Sequence, residues 1–314
     1  MNKCRYVILS VILTLVSAEA LAQYDPYFSH YFDLEPLYNP ATVGKQDQLN
    51  ITGTYAMSLA GFDNAPKTFV IAGDIPFVAL KQIHGVGAEL MSDQIGLFVH
   101  QRISLKYALR KQMAGGWFSG GLKLGLLNEK WDGGKLVLGA ETNDKVLPSS
   151  TVDGNGIDLG LGFFYQRKNW YAGISAQHLT YPTIELGTSN ILNVSASYYA
   201  TGGITFQLRN PLLKIALSGL VQSDLVAYRG DMTGRFIYTY DDQMMYGGIG
   251  YSPTNSVTLL IGGKFHGVVI GYSFEIYTNG ISIKNGSHEL FVGYQTDIEL
   301  GKKGKNRHQT TRTL

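Results

Sequence analysis

The sequence predicts an all-β fold: a transmembrane antiparallel β-barrel of about 14 strands, preceded by an N-terminal segment that lies in the periplasm or plugs the barrel. Three observations predict it. The chain begins with an export leader, apolar and polar residues alternate along many runs, and long connections alternate with short ones. The composition agrees, because 45% of the 314 residues are hydrophobic, only 16% are charged and 38 are glycine.

Residues 1–22 are predicted to be a signal peptide. Lys3 and Arg5 give its positive start, residues 7–16 are apolar, and Ala20-Leu21-Ala22 fits a cleavage site. We therefore expect the mature chain to begin at Gln23. No later stretch reaches 18 consecutive apolar residues, so no transmembrane helix is expected.

The next segment, residues 23–46, has no regular period. It reads QYDPYFSHYFDLEPLYNPATVGKQ and contains three prolines, which remove N–H groups that a strand ladder needs. Its many Tyr and Phe side chains would be costly to leave in water. Two locations are open for it: inside the barrel as a plug, or across the periplasmic mouth.

Residues 47–300 are expected to form the barrel, because their side chains alternate between apolar and polar with a period of two. Ile103, Leu105 and Tyr107, for example, alternate with Ser104 and Lys106. The expected strands are 47–57, 66–75, 83–93, 95–110, 116–128, 155–168, 169–179, 192–208, 212–222, 225–240, 243–251, 254–265, 266–277 and 287–300. With both termini in the periplasm, the longest connections face outside, as in outer-membrane barrels.

A soluble two-sheet sandwich with the same period is the alternative. Aromatic residues near the strand ends favour the barrel, because they suit the girdles at the membrane interfaces: Trp117, Trp170, Tyr171 and Tyr251. The charged residues on the expected inner face carry both signs: Lys106, Arg110, Lys123, Asp158, Lys214, Lys264, Glu275, Glu289 and Asp297. This mixture predicts mutual neutralisation in a hydrated or plugged lumen rather than a selectivity filter.

Residues 301–314 form a basic C-terminal tail without an acidic residue. Such a tail is either a solvated, mobile end or a docking site for a partner. The formal net charge of the whole chain is only +2, so no nucleic-acid partner is expected.

No catalytic, cofactor or metal site is predicted, and we expect no enzyme. Cys4 is the only cysteine and leaves with the signal peptide, which excludes thiol chemistry from the mature chain. Ser29-His30 and Ser287-His288 are adjacent pairs, but neighbours on a strand point to opposite faces. The segment 153–158 fails the EF-hand pattern, so a Gly/Asn-rich turn is the better interpretation.

Several motifs recur in order along the mature chain. Gln23, Asp25, Pro26, Phe28, Ser29 and Tyr31 match a Q-D-P-x-F-S-x-Y run with Tyr24 inserted, and Asn39, Pro40, Ala41 and Gly44 match N-P-A-x-x-G. Further matches are His84-Gly85-Val86-Gly87, Asp158-Leu159-Gly160-Leu161-Gly162 and Gly286-Ser287-His288-Glu289-Leu290. In these motifs the chain resembles the PorP/SprF family of outer-membrane proteins from the type IX secretion system of Bacteroidetes-type bacteria. Phe32-Asp33-Leu34 departs from the family's usual Met-Phe-Asn.

The resemblance implies an outer-membrane barrel that serves the export of cargo proteins with C-terminal sorting domains. It implies association with the lipoprotein PorK, its ring partner PorN and the peptidoglycan-binding PorE, besides the lipids of the outer membrane. SprF-like members serve the export of gliding adhesins, and no catalytic residue is carried over.

The candidate partner-binding residues lie in the N-terminal segment and the tail: Gln23, Asp25, Pro26, Phe28, Ser29, Tyr31, Asn39, Pro40, Lys302, Lys303, Lys305 and Arg307. Two other functions remain open from the residues alone. One is an outer-membrane transporter of hydrophobic small molecules, with the N-terminal segment as its plug. The other is a passive porin.

Overall fold

The computed structural model describes residues 24–133, 150–187, 190–278 and 286–300. Sixteen strands are present in this part of the chain: β1 (Gln48–Met57), β2 (Lys67–Ala79), β3 (Gln82–Ile95), β4 (Phe98–Met113), β5 (Gly116–Asp132), β6 (Thr151–Gln166), β7 (Trp170–Gln177), β8 (Thr183–Leu186), β9 (Asn190–Asn193), β10 (Ser197–Gln207), β11 (Leu213–Ser223), β12 (Tyr228–Tyr240), β13 (Gln243–Ser252), β14 (Ser256–Phe265), β15 (Val268–Tyr277) and β16 (Ser287–Asp297). A short helix, α1 (Glu35–Tyr38), and a 3-10 turn (Pro40–Thr42) precede β1. The signal peptide 1–22, Gln23 and the tail 301–314 lie outside the described residues.

Fourteen of these strands close into one antiparallel barrel, and β8 and β9 form a separate hairpin. The barrel closes between its first and last strands, with pairs from Gln48↔Asp297 to Met57↔His288. Apart from this closing pair, strands that are neighbours in the wall are also consecutive in sequence. The one exception is the pair β7 and β10, because the hairpin is inserted between them. The predicted all-β transmembrane barrel of 14 strands is thus confirmed.

Each predicted run coincides with one wall strand, and the clearest difference concerns the run 192–208. Asn190–Asn193 belongs to the hairpin, and the wall strand begins only at Ser197. Alternation placed Val194 on the lipid face, but it is buried and packs with Ile184 and Leu186 of the hairpin. The alternation of apolar and polar residues therefore continues through the bend between Asn193 and Ser197, so it does not show where the wall strand begins.

The two ends of the barrel differ in their connections. One end, here called the turn end, carries the short connections 80–81, 114–115, 167–169, 208–212, 241–242 and 266–267. The other, the loop end, carries the longest ones, 133–150, 178–196 and 278–286. The first residue of β1 and the last residue of β16 lie at the turn end.

The apolar faces of the strands form the outside of the wall. Ile103 and Leu124 expose 56% and 54% of their surface, while Ser104, Lys106 and Lys123 on the opposite face are buried. This is the apolar-out, polar-in pattern of a barrel that spans a membrane. No helix in the described ranges is both long and apolar enough to cross a bilayer.

The aromatic residues chosen as girdle candidates divide between the two faces. Trp170 and Tyr251 are exposed on the outside. Trp117 faces the lumen, where the Arg110 guanidinium lies 4.6 Å from its ring centroid. Tyr171 also faces inward and stacks on Phe164. A position near a strand end does not determine whether Trp117 and Tyr171 face lipid or lumen, because successive side chains of a strand point to opposite faces.

The β8–β9 hairpin folds inward at the loop end instead of extending away from the barrel. Ile184 and Leu186 pack against Leu127 of the wall and against Val194. Close approach to β6 is possible because Gly154 has no side chain; a Cβ there would lie 2.2 Å from the Glu185 carbonyl oxygen. The hairpin therefore covers part of the lumen from the loop end.

Candidate functional site: a plug in the barrel lumen

Residues 24–45, here called the plug, occupy the lumen. Tyr24 packs against the hairpin cluster at the loop end, and Lys45 lines the mouth at the turn end. Phe28, Tyr31 and Leu34 are each only 1% exposed. They share one apolar core with inward side chains of the wall: Val70, Met91, Tyr199, Leu220, Tyr246, Leu260 and Phe291. Of the two locations left open by the sequence, the structure has the segment inside the lumen.

The sharpest bend of the plug is held by Asn39. Its Oδ1 accepts a hydrogen bond from Ala41 N at 2.9 Å, which caps the 3-10 turn that Pro40 begins. Its Nδ2 donates to the wall carbonyls of Phe163 at 3.0 Å and Ile174 at 3.3 Å. One side chain thus shapes the plug and fastens it to β6 and β7.

Glycines on the inner face of the wall give the plug its space. A Cβ at Gly85 would lie 2.0 Å from the Val43 carbonyl oxygen, and a Cβ at Gly121 would lie 2.4 Å from Ala41 N. Both distances are far below van der Waals contact, so no other residue fits there while the plug is seated.

A buried chain of charges joins the plug to β3 and β4. Arg102 Nη1 donates to Asp25 Oδ1 at 2.7 Å, and Arg102 Nε and Nη2 donate to Glu89 Oε1 at 3.0 and 2.9 Å. Lys106 bonds the other Glu89 oxygen and donates to the Pro36 carbonyl oxygen at 2.6 Å. Removing one member of such a buried set leaves uncompensated charge, which typically costs about 3–5 kcal/mol.

A second set of charges meets Asp25 from the loop end. His178 lies between two carboxylates, with Nε2 3.0 Å from Asp25 Oδ2 and Nδ1 3.2 Å from Asp158 Oδ1. The Tyr199 hydroxyl donates to Asp25 Oδ2. Lys123 Nζ lies 2.7 Å from Asp158 Oδ2 and completes the set. Asp25 therefore connects the plug to β4, to β10 and to the loop that follows β7.

The environment keeps both members of the Asp25–His178 pair charged. Burial alone would favour a neutral carboxyl, but His178 and Arg102 hold the pKa of Asp25 well below its usual value. Burial likewise favours a neutral imidazole, but Asp25 and Asp158 raise the pKa of His178. Both pKa shifts favour the charged form of the group, so the environment favours an ion pair between Asp25 and His178.

The plug is clamped on the other side of the lumen by Glu289 of the last strand. Glu289 Oε2 accepts from Ser29 N at 2.6 Å, and its Oε1 accepts from His30 N at 3.1 Å and lies 2.7 Å from His30 Nδ1. The Arg229 guanidinium covers the ring of Tyr27, 3.5 Å from its centroid. Polar and aromatic contacts thus hold the segment 27–30 on both sides.

A charged vestibule opens at the turn end, below the plug. Its volume is about 620 Å³, and its walls carry cations and carboxylates together: Lys45, Arg110, Lys264, Asp47 and Asp297. The chain leaves the plug here to enter β1, and β16 ends here. The vestibule is therefore the place where the plug, the first strand and the last strand meet solvent.

The structure places the candidate partner-binding residues of the N-terminal segment inside the barrel. Asp25, Phe28, Ser29, Tyr31, Asn39 and Pro40 are buried, and Pro26 is half-buried. With the plug seated, their side chains contact the wall. Gln23, Lys302, Lys303, Lys305 and Arg307 lie outside the described residues. A role for these residues in partner binding stays a prediction.

Sequence reasoning missed all three side-chain partners of Asp25, which are Arg102, His178 and Tyr199. Arg102 lies four residues before Lys106 on the inner face of β4, so extending the alternation of that strand would have found it. His178 lies in the irregular loop after β7, where no period applies, and nothing in the sequence connected it to Asp25.

Neither adjacent Ser–His pair forms a nucleophile and base in the described contacts. The His30 ring meets Glu289, and the Ser287 hydroxyl meets the Tyr277 hydroxyl at 2.7 Å. In the part of the chain that the structure covers, no group of three His, Cys, Asp or Glu side chains could hold a metal ion.

A sequence model of the family described as "Type IX secretion system membrane protein PorP/SprF" matches residues 20–294. No curated protein sequence gives a significant match. Among solved structures, the chain is similar to the CymD monoaromatic hydrocarbon channel, with 12% identity, a TM-score of 0.49, and coverage of 84% of this chain and 93% of that one. It is also similar to a Pseudomonas aeruginosa FadL homologue, with 10% identity, a TM-score of 0.48, and coverage of 83% and 93%.

Proposed function

The chain belongs to the PorP/SprF family of type IX secretion system membrane proteins, and from this premise we propose that it is PorP itself, acting as a non-enzymatic anchor in the outer membrane. The anchor holds the periplasmic ring of PorK and PorN and the peptidoglycan-binding PorE, and it serves the export of cargo with C-terminal sorting domains. Its short turns and both termini face the periplasm.

One observation supports an anchor over a conduit: the plug fills the lumen and leaves the charged vestibule accessible at the turn end. The plug contributes buried aromatic core and buried ion pairs, so displacing it would open that core and remove Asp25 from Arg102 and His178. A fixed plug gives the turn end a stable surface. The vestibule's mixed charges suit a polar, charged protein surface rather than an apolar substrate.

Site-directed cross-linking tests this proposal. A cysteine replacing Gln46, which is exposed at the turn end, would carry a cross-linker in intact cells, and a cysteine replacing Phe62, exposed at the loop end, is the matched control. We expect the Gln46→Cys variant to capture PorK, PorN or PorE and the Phe62→Cys variant to capture none of them. Capture of these proteins equally from both ends, or from neither, would overturn the anchor.

The transporter and porin alternatives are separated by conductance. A plugged anchor is expected to give no steady current in a planar bilayer, whereas a passive porin gives a stable open channel. A strain without the chain should take up hydrophobic small molecules as fast as its parent. A steady channel or slower uptake would shift the function from anchoring to transport.

A further inference from the structure

A second cavity lies on the loop side of the plug, away from the vestibule. Its volume is about 110 Å³, and plug residues Pro26, Tyr27 and Ser29 form one wall. The other walls come from the loop-end parts of five neighbouring strands and of β12, and they include Thr68, Asp93, Arg229, Ser273, Glu275 and Glu289. We call this cavity the loop-end pocket.

The loop-end pocket has more negative than positive charge. Three carboxylates line it, and Arg229 is the one guanidinium among its lining residues. Arg229 is already shared, because it lies 3.1 Å from Asp231 Oδ2 and 3.0 Å from Glu275 Oε1. Glu289 is occupied by the plug, as described above. The guanidinium that lines the pocket is therefore already paired with Asp231 and Glu275, and it is not available to the third, remaining carboxylate.

That remaining carboxylate is Asp93. It is only 2% exposed, and its contact with a side chain is a hydrogen bond from the Thr68 hydroxyl at 2.6 Å. No Lys, Arg or His lies within 4 Å of it among the described residues. Buried carboxylates are normally paired with a cation. Asp93 therefore has no cation in direct contact, and His100, its cross-strand neighbour on β4, directs Nδ1 to Glu129 instead.

An independent observation comes from Ser273, which faces the same pocket. It is 1% exposed, and its Oγ has no hydrogen-bond partner in the described structure. Buried hydroxyls are rarely left unpaired. A buried hydroxyl without a hydrogen-bond partner and a buried carboxylate without a cation in one pocket are both suited to a ligand with N–H donors and positive charge.

We propose that the loop-end pocket binds the ammonium or guanidinium head of a ligand that enters from the loop end. The carboxylates do not converge as a metal site requires, since no three of the described residues could share a metal ion. A volume of about 110 Å³ admits a head group and leaves the rest of the ligand outside. The source is either a small free cation or a Lys or Arg side chain of another polypeptide.

Calorimetric titration of the purified full chain in detergent tests this proposal with two isosteric probes, butylguanidinium and butylurea. We expect saturable binding of butylguanidinium and none of neutral butylurea. Asp93→Asn should weaken the binding at least tenfold, and Asp242→Asn, which removes an exposed carboxylate in the turn between β12 and β13, should leave it unchanged. Equal binding of both probes, or no saturable binding to the wild type, would overturn the proposal.

Two additions keep the test decisive. If Asp93→Asn fails to fold, Ser273→Ala takes its place, and unchanged affinity for butylguanidinium in that variant counts against the pocket. A doubly capped Gly-Arg-Gly peptide separates the two sources. Tighter binding of the peptide than of butylguanidinium assigns the pocket to a polypeptide side chain, and exclusion of the peptide assigns it to a small free cation.

Discussion

Replacing Gly121 with alanine should unseat the plug, because the added methyl group would lie 2.4 Å from Ala41 N and 2.5 Å from the Ala41 Cα. Ordinary contact begins near 3.4 Å, so the plug backbone must move by about 1 Å. Such a shift breaks the two hydrogen bonds from Asn39 to the wall, worth about 0.5–1.5 kcal/mol each. Overpacking adds about 1–3 kcal/mol. The total loss of plug seating energy is therefore at least about 2 kcal/mol, or about 30-fold in the equilibrium.

Cysteine labelling measures this change directly. The mature chain is expected to contain no cysteine, so one placed at Leu37, which is buried in the plug, reports when the plug opens. Gly121→Ala should raise the rate of maleimide labelling at that position by at least about 30-fold. Gly125→Ala is the matched control, because it lies on the same strand and face with its nearest atoms at 3.4 Å. Equal labelling in both variants would refute the close-packing argument.

Three further predictions concern the plug charges and the lipid face. Arg102→Ala should lower the free energy of unfolding by about 3–5 kcal/mol, because Asp25 and Glu89 lose the buried guanidinium that they share and keep only His178 and Lys106. The exposed Arg209→Ala should change the free energy of unfolding little, and equal melting temperatures would contradict this. The charged His178 ring contributes its full stabilisation below the usual histidine pKa of about 6.5, and this stabilisation is lost as the pH rises through the raised pKa of His178. The difference in melting temperature between wild type and His178→Gln should therefore shrink above the raised pKa. A difference that stays constant with pH would disprove the argument. Leu124→Arg should lower the stability of the barrel in the membrane by about 2–4 kcal/mol, because Leu124 faces lipid. It should reduce the amount of folded barrel in outer-membrane fractions relative to Leu124→Ala, and equal amounts of the two variants would count against the assigned lipid face.

The wall was predictable because its signal is local. Alternation within each strand, as in Ile103 to Arg110, reports which side chains face lipid without knowledge of any neighbour. The inward placement of Lys106, Lys123 and Asp158 followed from the same parity, and the structure confirms it. Even the pairing of opposite charges in the lumen followed from their mixed signs.

The plug contacts were not predictable, because they join distant positions through an irregular segment. Asp25 meets Arg102 and His178, which are 77 and 153 residues away along the chain. Neither the three prolines of the N-terminal segment nor its lack of period indicates which wall strand it faces. For the same reason, the sequence left the lumen and the periplasmic mouth equally open for this segment.

The clamp made by Glu289 has a consequence for the order of folding. Ser29 and Glu289 are 260 residues apart, and Glu289 lies on β16, the strand whose pairing with β1 closes the barrel. Contacts across so long a loop form late, since chain entropy opposes them until most of the protein is in place. The plug is also continuous with β1 through residues 45–47. Strand β16 therefore both closes the wall and holds the plug, so a nascent barrel that lacks β16 has neither a closed sheet nor a fixed plug.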